Sequence, residues 1–197
     1  MMERNDEVNE IGVERHPLEP FLPDGCKVLF LGSFPPQRKR WSMEFFYPNF
    51  INDHWRIMGL VWFGDKNHFV DEKAKTFKLA EIKAFITEKG IGYYDTATAV
   101  RRTADNASDK FLEIVEPTNI SALTAQAKSL KAIAVTGEKA CATICEHFGI
   151  AEMPKMLENI ELPNGLRLYR LPSSSRAYPL SLEKKAAAYK AALQEMF

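Results

Sequence analysis

The chain has 197 residues, 46% of them hydrophobic and 26% charged, a balance that predicts one globular domain with a substantial core. Its 26 basic and 26 acidic residues cancel, so the net charge neither favours nor excludes a polyanionic partner such as nucleic acid. The three cysteines have no framework spacing, which argues against a disulfide-stabilised secreted protein. The polar N-terminus lacks a secretion signal, and we expect a soluble, cytoplasmic protein.

The sequence of residues 1–26 predicts an N-terminal leader, and residues 27–197 are predicted to form the single domain on which it packs. Pro17, Pro20 and Pro23 recur at every third position of this leader. Because proline fixes φ near the polyproline value, this spacing favours an extended path over a helix. We therefore expect an extended segment packed against the domain, and not a domain in itself.

Strand-like and helix-like segments alternate along the rest of the chain. Four short apolar segments predict buried strands, namely Lys27–Leu31, Ile91–Tyr94, Ala132–Val135 and Leu166–Leu171. Helices are predicted over residues 71–89, 117–129, 141–148 and 181–195. This alternation is typical of an α/β fold in which helices cover both faces of a parallel sheet.

The carboxyl ends of these strands are the expected place for a ligand. In open α/β sheets, ligands bind in the crevice beyond the carboxyl ends of the strands. The segments that follow the four predicted strands are residues 33–36, 95–98, 136–138 and 173–176. They are far apart in the chain, yet the predicted fold brings them to one edge of the sheet.

The first predicted strand ends in a glycine-containing turn that leads to a basic triplet. Gly32 allows the backbone to approach a ligand closely, and Ser33 and Phe34 follow it. The basic triplet before Trp41 suits phosphate neutralisation beside a stacking surface. Its members are Arg38, Lys39 and Arg40. A solvated surface loop is the alternative interpretation.

An aromatic segment, residues 44–55, also contains two asparagines. A pocket for a nucleobase needs this mixture, with a ring such as Tyr47 for stacking and amides such as Asn49 and Asn52 for hydrogen bonds. A core-filling aromatic run with asparagines in turns is the alternative, since a buried amide without partners costs free energy.

The second and fourth strand ends carry an acid and a run of hydroxyl groups. Asp95 places one carboxylate at the crevice, and a helix cap or an ion pair with arginine is the alternative role. The run Ser173, Ser174, Ser175 and Arg176 precedes a predicted helix. Hydroxyls and backbone N–H groups near a helix N-terminus suit a phosphate, although a serine-rich turn is the alternative.

Several other patterns do not support a site. The segment Thr136–Lys139 lacks the leading glycine of a phosphate loop, so we reject a nucleoside triphosphatase. Cys141 and Cys145 lack the further ligands that zinc or an iron–sulfur cluster needs, which predicts buried free thiols and no metal. Of the four histidines, only His54 lies near the predicted site. We find no nucleophile–base pair that would support a small-molecule hydrolase.

Five motifs in chain order resemble the uracil-DNA glycosylase superfamily, and the hypoxanthine-DNA (deoxyinosine-DNA) glycosylases are the most similar branch. The motifs are LFLGSFPP, FFYPNFINDHW, GIGYYD, VTGEKA and LPSSSRA, and the resemblance covers roughly residues 14–193. It implies a three-layer α/β/α sandwich with a short, mainly parallel four-stranded sheet. It also implies a monofunctional DNA glycosylase that removes a deaminated base, uracil or hypoxanthine, in base-excision repair.

The resemblance assigns roles by position. Asn52, three residues before Trp55, would be the catalytic amide, and Asp95 would act on the edge of the base. The positions implied in binding the base are Gly32, Ser33, Phe34, Tyr47 and Asn49, with Tyr47 stacking on it. Those implied in binding DNA are Arg38, Lys39, Arg40, Ser173, Ser174, Ser175 and Arg176, with Arg101 and Arg102 as further phosphate ligands.

Two positions depart from the superfamily. Phe34 stands where many members have a water-activating acid or amide, and Leu171 stands where they often have a histidine. Such a site would rely on Asn52 to position water and on hydrogen bonds to help the base leave. The alternative is a catalytically weak or inactive binding module of the same fold that recognises damaged DNA or nucleotides. In either case we expect a monomer without cofactor, metal or membrane partner.

Overall fold

The computed structural model describes residues 12–103 and 111–197, and it has a mixed α/β fold with a mainly parallel central sheet, which confirms the predicted fold class. The strands are β1 (Val13–Arg15), β2 (Val28–Gly32), β3 (Val70–Asp71), β4 (Thr76–Phe77), β5 (Ile91–Asp95), β6 (Ala97–Arg102), β7 (Leu112–Pro117), β8 (Ala132–Thr136), β9 (Asn159–Glu161) and β10 (Arg167–Leu171). The α-helices are α1 (His54–Phe63), α2 (Leu79–Lys89), α3 (Ile120–Ala125), α4 (Glu138–His147) and α5 (Leu182–Met196).

The central sheet has five strands in the order β5-β2-β8-β10-β9, where we predicted four. The four predicted segments form its parallel strands β2, β5, β8 and β10. The additional strand, β9, pairs antiparallel with β10 at the edge of the sheet. It is only three residues long and contains one apolar residue, Ile160, so it has no apolar run that could have predicted it. The three-layer arrangement stays a prediction.

The register of the parallel strands aligns their carboxyl ends. Gly32 at the end of β2 pairs with Asp95 at the end of β5. Leu171 at the end of β10 pairs with Thr136 at the end of β8. All residues of β2, β5 and β8 are buried, because both faces of these strands are covered. This explains why their sequences are mostly apolar. One edge of the sheet therefore collects the segments that we expected to form a crevice.

The helices differ from the predictions mainly at their N-terminal ends. Residues 71–89 were predicted as one helix, but β3 and β4 form a hairpin first, with Val70 opposite Phe77, and α2 begins at Leu79. The helix predicted over residues 117–129 is confined to α3, where the Asn119 side chain caps the N-terminus. Helix α1 was not predicted, because its first six residues are all buried and leave no amphipathic stripe.

The leader contributes β1 to a second, antiparallel sheet of order β1-β6-β7 that was not predicted. Val13 pairs with Arg101 of β6, and Phe21 forms an isolated bridge with Tyr93 of β5. Residues 12–26 thus run along the domain through backbone hydrogen bonds, whereas residues 1–11 lie outside the described residues. The division of the chain into a leader and a domain stays a prediction.

The described residues contain no helix that is both long and apolar enough to cross a membrane. All three cysteines are buried and free, which confirms the interpretation of Cys141 and Cys145 as packed thiols. Burial raises the pKa of Cys141 to about 12 and that of Cys26 to about 11. Residues 12–103 and 111–197 hold no cluster of three or more histidine, cysteine or acidic side chains that could bind a metal ion.

Candidate active site

Tyr47 and Asp95 converge on the backbone of Gly32 at the carboxyl edge of the sheet. A Cβ atom at position 32 would lie 2.5 Å from Asp95 Oδ1 and 3.6 Å from the Tyr47 hydroxyl. The first distance is shorter than any van der Waals contact, so only glycine fits while Asp95 keeps its place. The sequence predicted Gly32 and Asp95 at strand ends on one edge of the sheet, and the structure brings the Tyr47 hydroxyl to the same place.

The Tyr47 ring is held in place from two directions. Its hydroxyl lies 2.7 Å from Thr136 Oγ1 at the end of β8. One face of the ring is stacked on His54 with the centroids 3.8 Å apart and the planes at 11°. Tyr47 also has a φ of 51°, an unusual value for a residue with a side chain and one that often marks a functional site.

His54 is a packing residue beneath Tyr47. The imidazole is completely buried, and its Nε2 atom lies 2.9 Å from the hydroxyl of Tyr93. Burial lowers the pKa of His54 to about 3, so the ring is neutral near pH 7. Although His54 is the one histidine that the sequence associated with the site, a neutral imidazole at this depth is suited to support the Tyr47 ring.

His16 of the leader is the histidine that reaches the Asp95 carboxylate, and no pattern in the sequence predicted this contact. His16 Nε2 lies 2.9 Å from Asp95 Oδ2, and the His16 side chain is 2% exposed. The two residues are 79 positions apart, and no spacing rule connects them. The antiparallel pairing of β1 with β6, next to β5 in the chain, delivers the imidazole to this place. The statement that only His54 lies near the site is therefore wrong.

Asn49 and Asn52 lie in tight turns just before α1. Asn52 Oδ1 accepts a hydrogen bond from the backbone N–H of His54 at 2.9 Å. Asn49 Oδ1 accepts one from the backbone N–H of Ile51 at 3.1 Å. Both amides thus have the turn role that was the alternative to base recognition. A carbonyl oxygen has a second lone pair, so Asn52 can still accept a hydrogen bond from a water molecule.

The serine-rich loop, residues 173–176, is attached to the start of α1. The backbone N–H of Asp53 donates to the carbonyl of Ser174 at 3.0 Å. Arg176 Nε donates to Asp53 Oδ1 at 2.9 Å, although the arginine side chain is half exposed. These bonds bring the loop beside the segment that contains Asn52. Within the loop Ser174 is buried, while Ser173 and Ser175 are partly accessible.

The arginines near the site already have hydrogen-bond or ion-pair partners, and they differ in how exposed their side chains are. Arg38 pairs with the exposed Glu44 and covers the Trp41 ring, 4.1 Å from its centroid. Arg38 and Lys39 are exposed on the short 3-10 helix Arg38–Arg40. Arg102, in contrast, is mostly buried and bonds Glu14 and the carbonyl of Pro35. Arg102 therefore fastens the leader to the first loop.

Two cavities flank the fold at opposite edges. One, of about 260 Å³, is lined by the leader and the first loop, including Arg15, Phe34 and Trp41. Phe34 lies between this cavity and His16, whose ring it meets edge-on at 5.3 Å. The larger cavity, of about 450 Å³, opens between Ala132 and Arg167 at the amino ends of β8 and β10. Neither lining includes Gly32, Tyr47 or Asp95, but the smaller cavity lies at the carboxyl edge of the sheet and includes Phe34 of the first loop.

A scan of protein-family models and a search of curated proteins returned no match to this chain. Among solved structures, the chain resembles the NMR structure of a putative uracil DNA glycosylase from Methanosarcina acetivorans. The two chains are 22% identical, and the alignment covers 93% of this chain and 98% of the other with a TM-score of 0.63. The two proteins share a fold. At this level of identity the likeness extends to the fold alone, and the chemistry has to be argued from the site.

Proposed function

We propose that this protein is a monofunctional DNA glycosylase that hydrolyses the N-glycosidic bond of a deaminated base, uracil or hypoxanthine, in base-excision repair. The observation that carries the proposal is the convergence of the Tyr47 hydroxyl and Asp95 Oδ1 above Gly32. A base turned out of the helix needs a ring to stack on and a polar group that contacts its edge. The likeness to the Methanosarcina acetivorans protein, named as a putative uracil DNA glycosylase, supports the same proposal through the fold.

Asp95 favours a base that presents a ring N–H. A carboxylate accepts hydrogen bonds and repels carbonyl oxygens. It therefore suits a ring N–H that has few carbonyl groups on the adjacent ring carbons. The ring N–H of hypoxanthine has one carbonyl neighbour, whereas that of uracil has two. We therefore propose hypoxanthine as the preferred base and uracil as the weaker substrate, in agreement with the branch that the motifs resemble.

Asn52 is the proposed group for positioning the attacking water. Breaking the N-glycosidic bond generates an oxocarbenium-like sugar and an anionic base, so the site must orient water and stabilise the leaving charge. The remaining lone pair of Asn52 Oδ1 suits the first task. Lys185 Nζ donates to Asp53 Oδ2 at 3.2 Å and to the carbonyl of Ser175 at 2.8 Å. That buried amine is not placed to form a Schiff base, which is consistent with a monofunctional enzyme.

The phosphates of DNA would meet the exposed cations Arg38 and Lys39 and the half-exposed Arg176. Backbone and hydroxyl groups at Ser173 and Ser175 would add neutral contacts. Arg102 is a poor phosphate ligand in comparison, because its guanidinium is 7% exposed and already bonded. The proposed DNA-binding surface thus centres on the first loop and the serine-rich loop.

The direct test is the release of free base from oligonucleotides that contain deoxyinosine or deoxyuridine. We expect Asn52→Ala to lower the single-turnover rate by on the order of 100-fold or more. Asn164→Ala is the matched control, because Asn164 Oδ1 also accepts a local backbone N–H, that of Leu166 at 3.2 Å, in a remote turn. Equal rates for wild type and Asn52→Ala would refute the role of Asn52.

The second candidate is a binding module of the same fold without catalysis. The observation that favours it is the apolar character of two positions where the superfamily resemblance implies polar catalytic groups, Phe34 and the buried Leu171. This alternative predicts binding to oligonucleotides containing a deaminated base with no base release from any of them. Fluorescence anisotropy and a base-release assay on the same oligonucleotides distinguish the two functions.

A further inference from the structure

His16 is fixed against the site by both its backbone and its ring. Its backbone N–H donates to the carbonyl of Thr98 at 2.8 Å, next to the paired strands β1 and β6. Its ring lies 4.7 Å from the centroid of Tyr94 and 5.3 Å from that of Phe34. Because the side chain is nearly inaccessible to solvent, its orientation is set by packing.

The hydrogen bonds of the imidazole identify the proton on Nε2. Nε2 lies 2.9 Å from the carboxylate oxygen of Asp95. Nδ1 lies 2.8 Å from the carbonyl and 3.2 Å from the backbone N–H of Leu18, so it can donate or accept. A lone pair on Nε2 would oppose a carboxylate oxygen, so His16 donates from Nε2 to Asp95.

This bond leaves one oxygen of Asp95 for the site. His16 occupies Oδ2, and Oδ1 lies against Gly32, where a Cβ atom would be 2.5 Å from it and 3.6 Å from the Tyr47 hydroxyl. Among the described residues, His16 is the only side chain that hydrogen-bonds the Asp95 carboxylate. A carboxylate held at one oxygen cannot rotate freely, so its second oxygen keeps a defined direction.

We propose that His16 is a positioning residue that acts through Asp95, an inference that rests on the proposed glycosylase function. The Nε2–H group holds Oδ2, so that Oδ1 meets the ring N–H of the flipped base at a fixed angle. The same bond draws negative charge toward Oδ2 and away from a base that becomes anionic as it leaves. The leader thereby completes a site whose other residues all belong to residues 27–197.

The experiment compares His16→Leu, His16→Gln and Asp95→Ala in single-turnover and steady-state base release. His16→Leu should lower kcat by about 10-fold to 100-fold and change KM for DNA by less than about 3-fold. His16→Gln should recover kcat to within about 5-fold of wild type, since the glutamine amide N–H can replace Nε2–H. His147→Leu, a change at an exposed histidine of α4, is the control and should leave kcat unchanged.

The double variant His16→Leu/Asp95→Ala decides whether His16 acts through Asp95. With Asp95 already absent, removing His16 should slow base release by less than about 2-fold. If the rate losses of His16→Leu and Asp95→Ala multiply in the double variant, the proposal is overturned. Unchanged kcat in His16→Leu, or no recovery of kcat in a folded His16→Gln, would also overturn it. Thermal melting of each variant excludes unfolding as the cause.

A separate measurement distinguishes failure of this inference from failure of the proposed function. If wild type releases no base from any deaminated substrate, the glycosylase proposal fails. The imidazole nitrogen NMR signals then still test the geometry of His16. We expect a protonated Nε2 whose signal shifts in Asp95→Ala, whereas an unprotonated Nε2, or a signal unaffected by this substitution, would overturn the positioning role.

Discussion

Lys185 and Asp53, 132 residues apart in the chain, form an ion pair in the interior of the protein. The lysine side chain is 1% exposed and that of Asp53 is 9% exposed, with 3.2 Å between Nζ and Oδ2. Because Lys185 also donates to the carbonyl of Ser175, the pair joins α5, the start of α1 and the serine-rich loop. The position of the proposed DNA-binding loop thus depends on charges that lie beneath it.

Replacement of this lysine should destabilise the protein and loosen the loop. Lys185→Met removes the buried cation that hydrogen-bonds Asp53 and leaves the half-exposed Arg176 as its remaining hydrogen-bonded partner of opposite charge. We therefore expect a loss of roughly 3 kcal/mol in the free energy of unfolding. Urea denaturation measures the loss. The control is Lys184→Met, at the neighbouring exposed position of α5. A loss below about 1 kcal/mol would mean that the ion pair contributes little.

A methyl group at position 32 should displace Asp95 and stop base release. In Gly32→Ala the new Cβ would lie 2.5 Å from Asp95 Oδ1, so we expect a rate loss of at least about 100-fold and destabilisation of roughly 1–3 kcal/mol. The double variant Gly32→Ala/Asp95→Ala removes the colliding atom and should recover stability but not activity.

Gly165→Ala is the control for this substitution. Gly165 has a φ of 81° and open space around it, so alanine there adds backbone strain without a collision near the site. It should lower stability and leave the rate of base release unchanged at a temperature where the variant is folded. A Gly32→Ala variant that is as active as Gly165→Ala would contradict the proposed site.

The ring of Tyr47 should matter more than its hydroxyl. Tyr47→Ala removes the proposed stacking surface and should slow base release by about 5-fold to 150-fold, the range that corresponds to about 1–3 kcal/mol per stacked base. Tyr47→Phe keeps the ring and loses the bond to Thr136, so we expect a loss of less than about 5-fold. Single-turnover base release measures both variants.

Phe63→Ala provides a matched comparison for Tyr47→Ala. Phe63 is stacked on His68 with the centroids 3.6 Å apart, much as Tyr47 is on His54, but it lies at the far end of α1. Its removal should not change base release. If Tyr47→Ala and Phe63→Ala are equally active, stacking at Tyr47 has no part in the reaction.

The buried His54 should make the protein sensitive to mild acid. Its folded pKa of about 3 lies below the ordinary 6.5, so between these values the unfolded state binds more protons and stability falls as pH falls. The stability that His54 contributes is complete above pH 6.5, and about 2 kcal/mol of it should be lost by pH 5. Urea denaturation of wild type at pH 7.5 and pH 5 measures the decrease.

His54→Gln tests the origin of this acid sensitivity. The variant has no imidazole at position 54 to protonate. Wild type should therefore lose about 2 kcal/mol more stability than His54→Gln between pH 7.5 and pH 5. His147→Gln at an exposed position is the control and should behave as wild type does. Equal decreases in wild type and His54→Gln would show that another group is responsible.

The sequence predicted which strand ends form the candidate site better than it predicted the side-chain contacts within the site. The turn at Gly32 and the carboxylate at Asp95 were expected at strand ends, and the register of β2 with β5 brings them together. The turn roles of Asn49 and Asn52 were foreseen only as an alternative to base recognition. His16 was missed, because a leader with polyproline-like spacing indicates an extended path and not the strand with which it pairs.

The sequence by itself determined the four parallel strands and the edge at which they end. Strands buried on both faces require continuous apolar segments, and such segments are visible in any chain that contains them. Tertiary structure alone decided the contacts that complete the site. His16 meets Asp95 and Lys185 meets Asp53 across 79 and 132 residues, and such pairings depend on how β1 and α5 pack. No local periodicity records that packing, because its free energy arises only when distant segments are folded together.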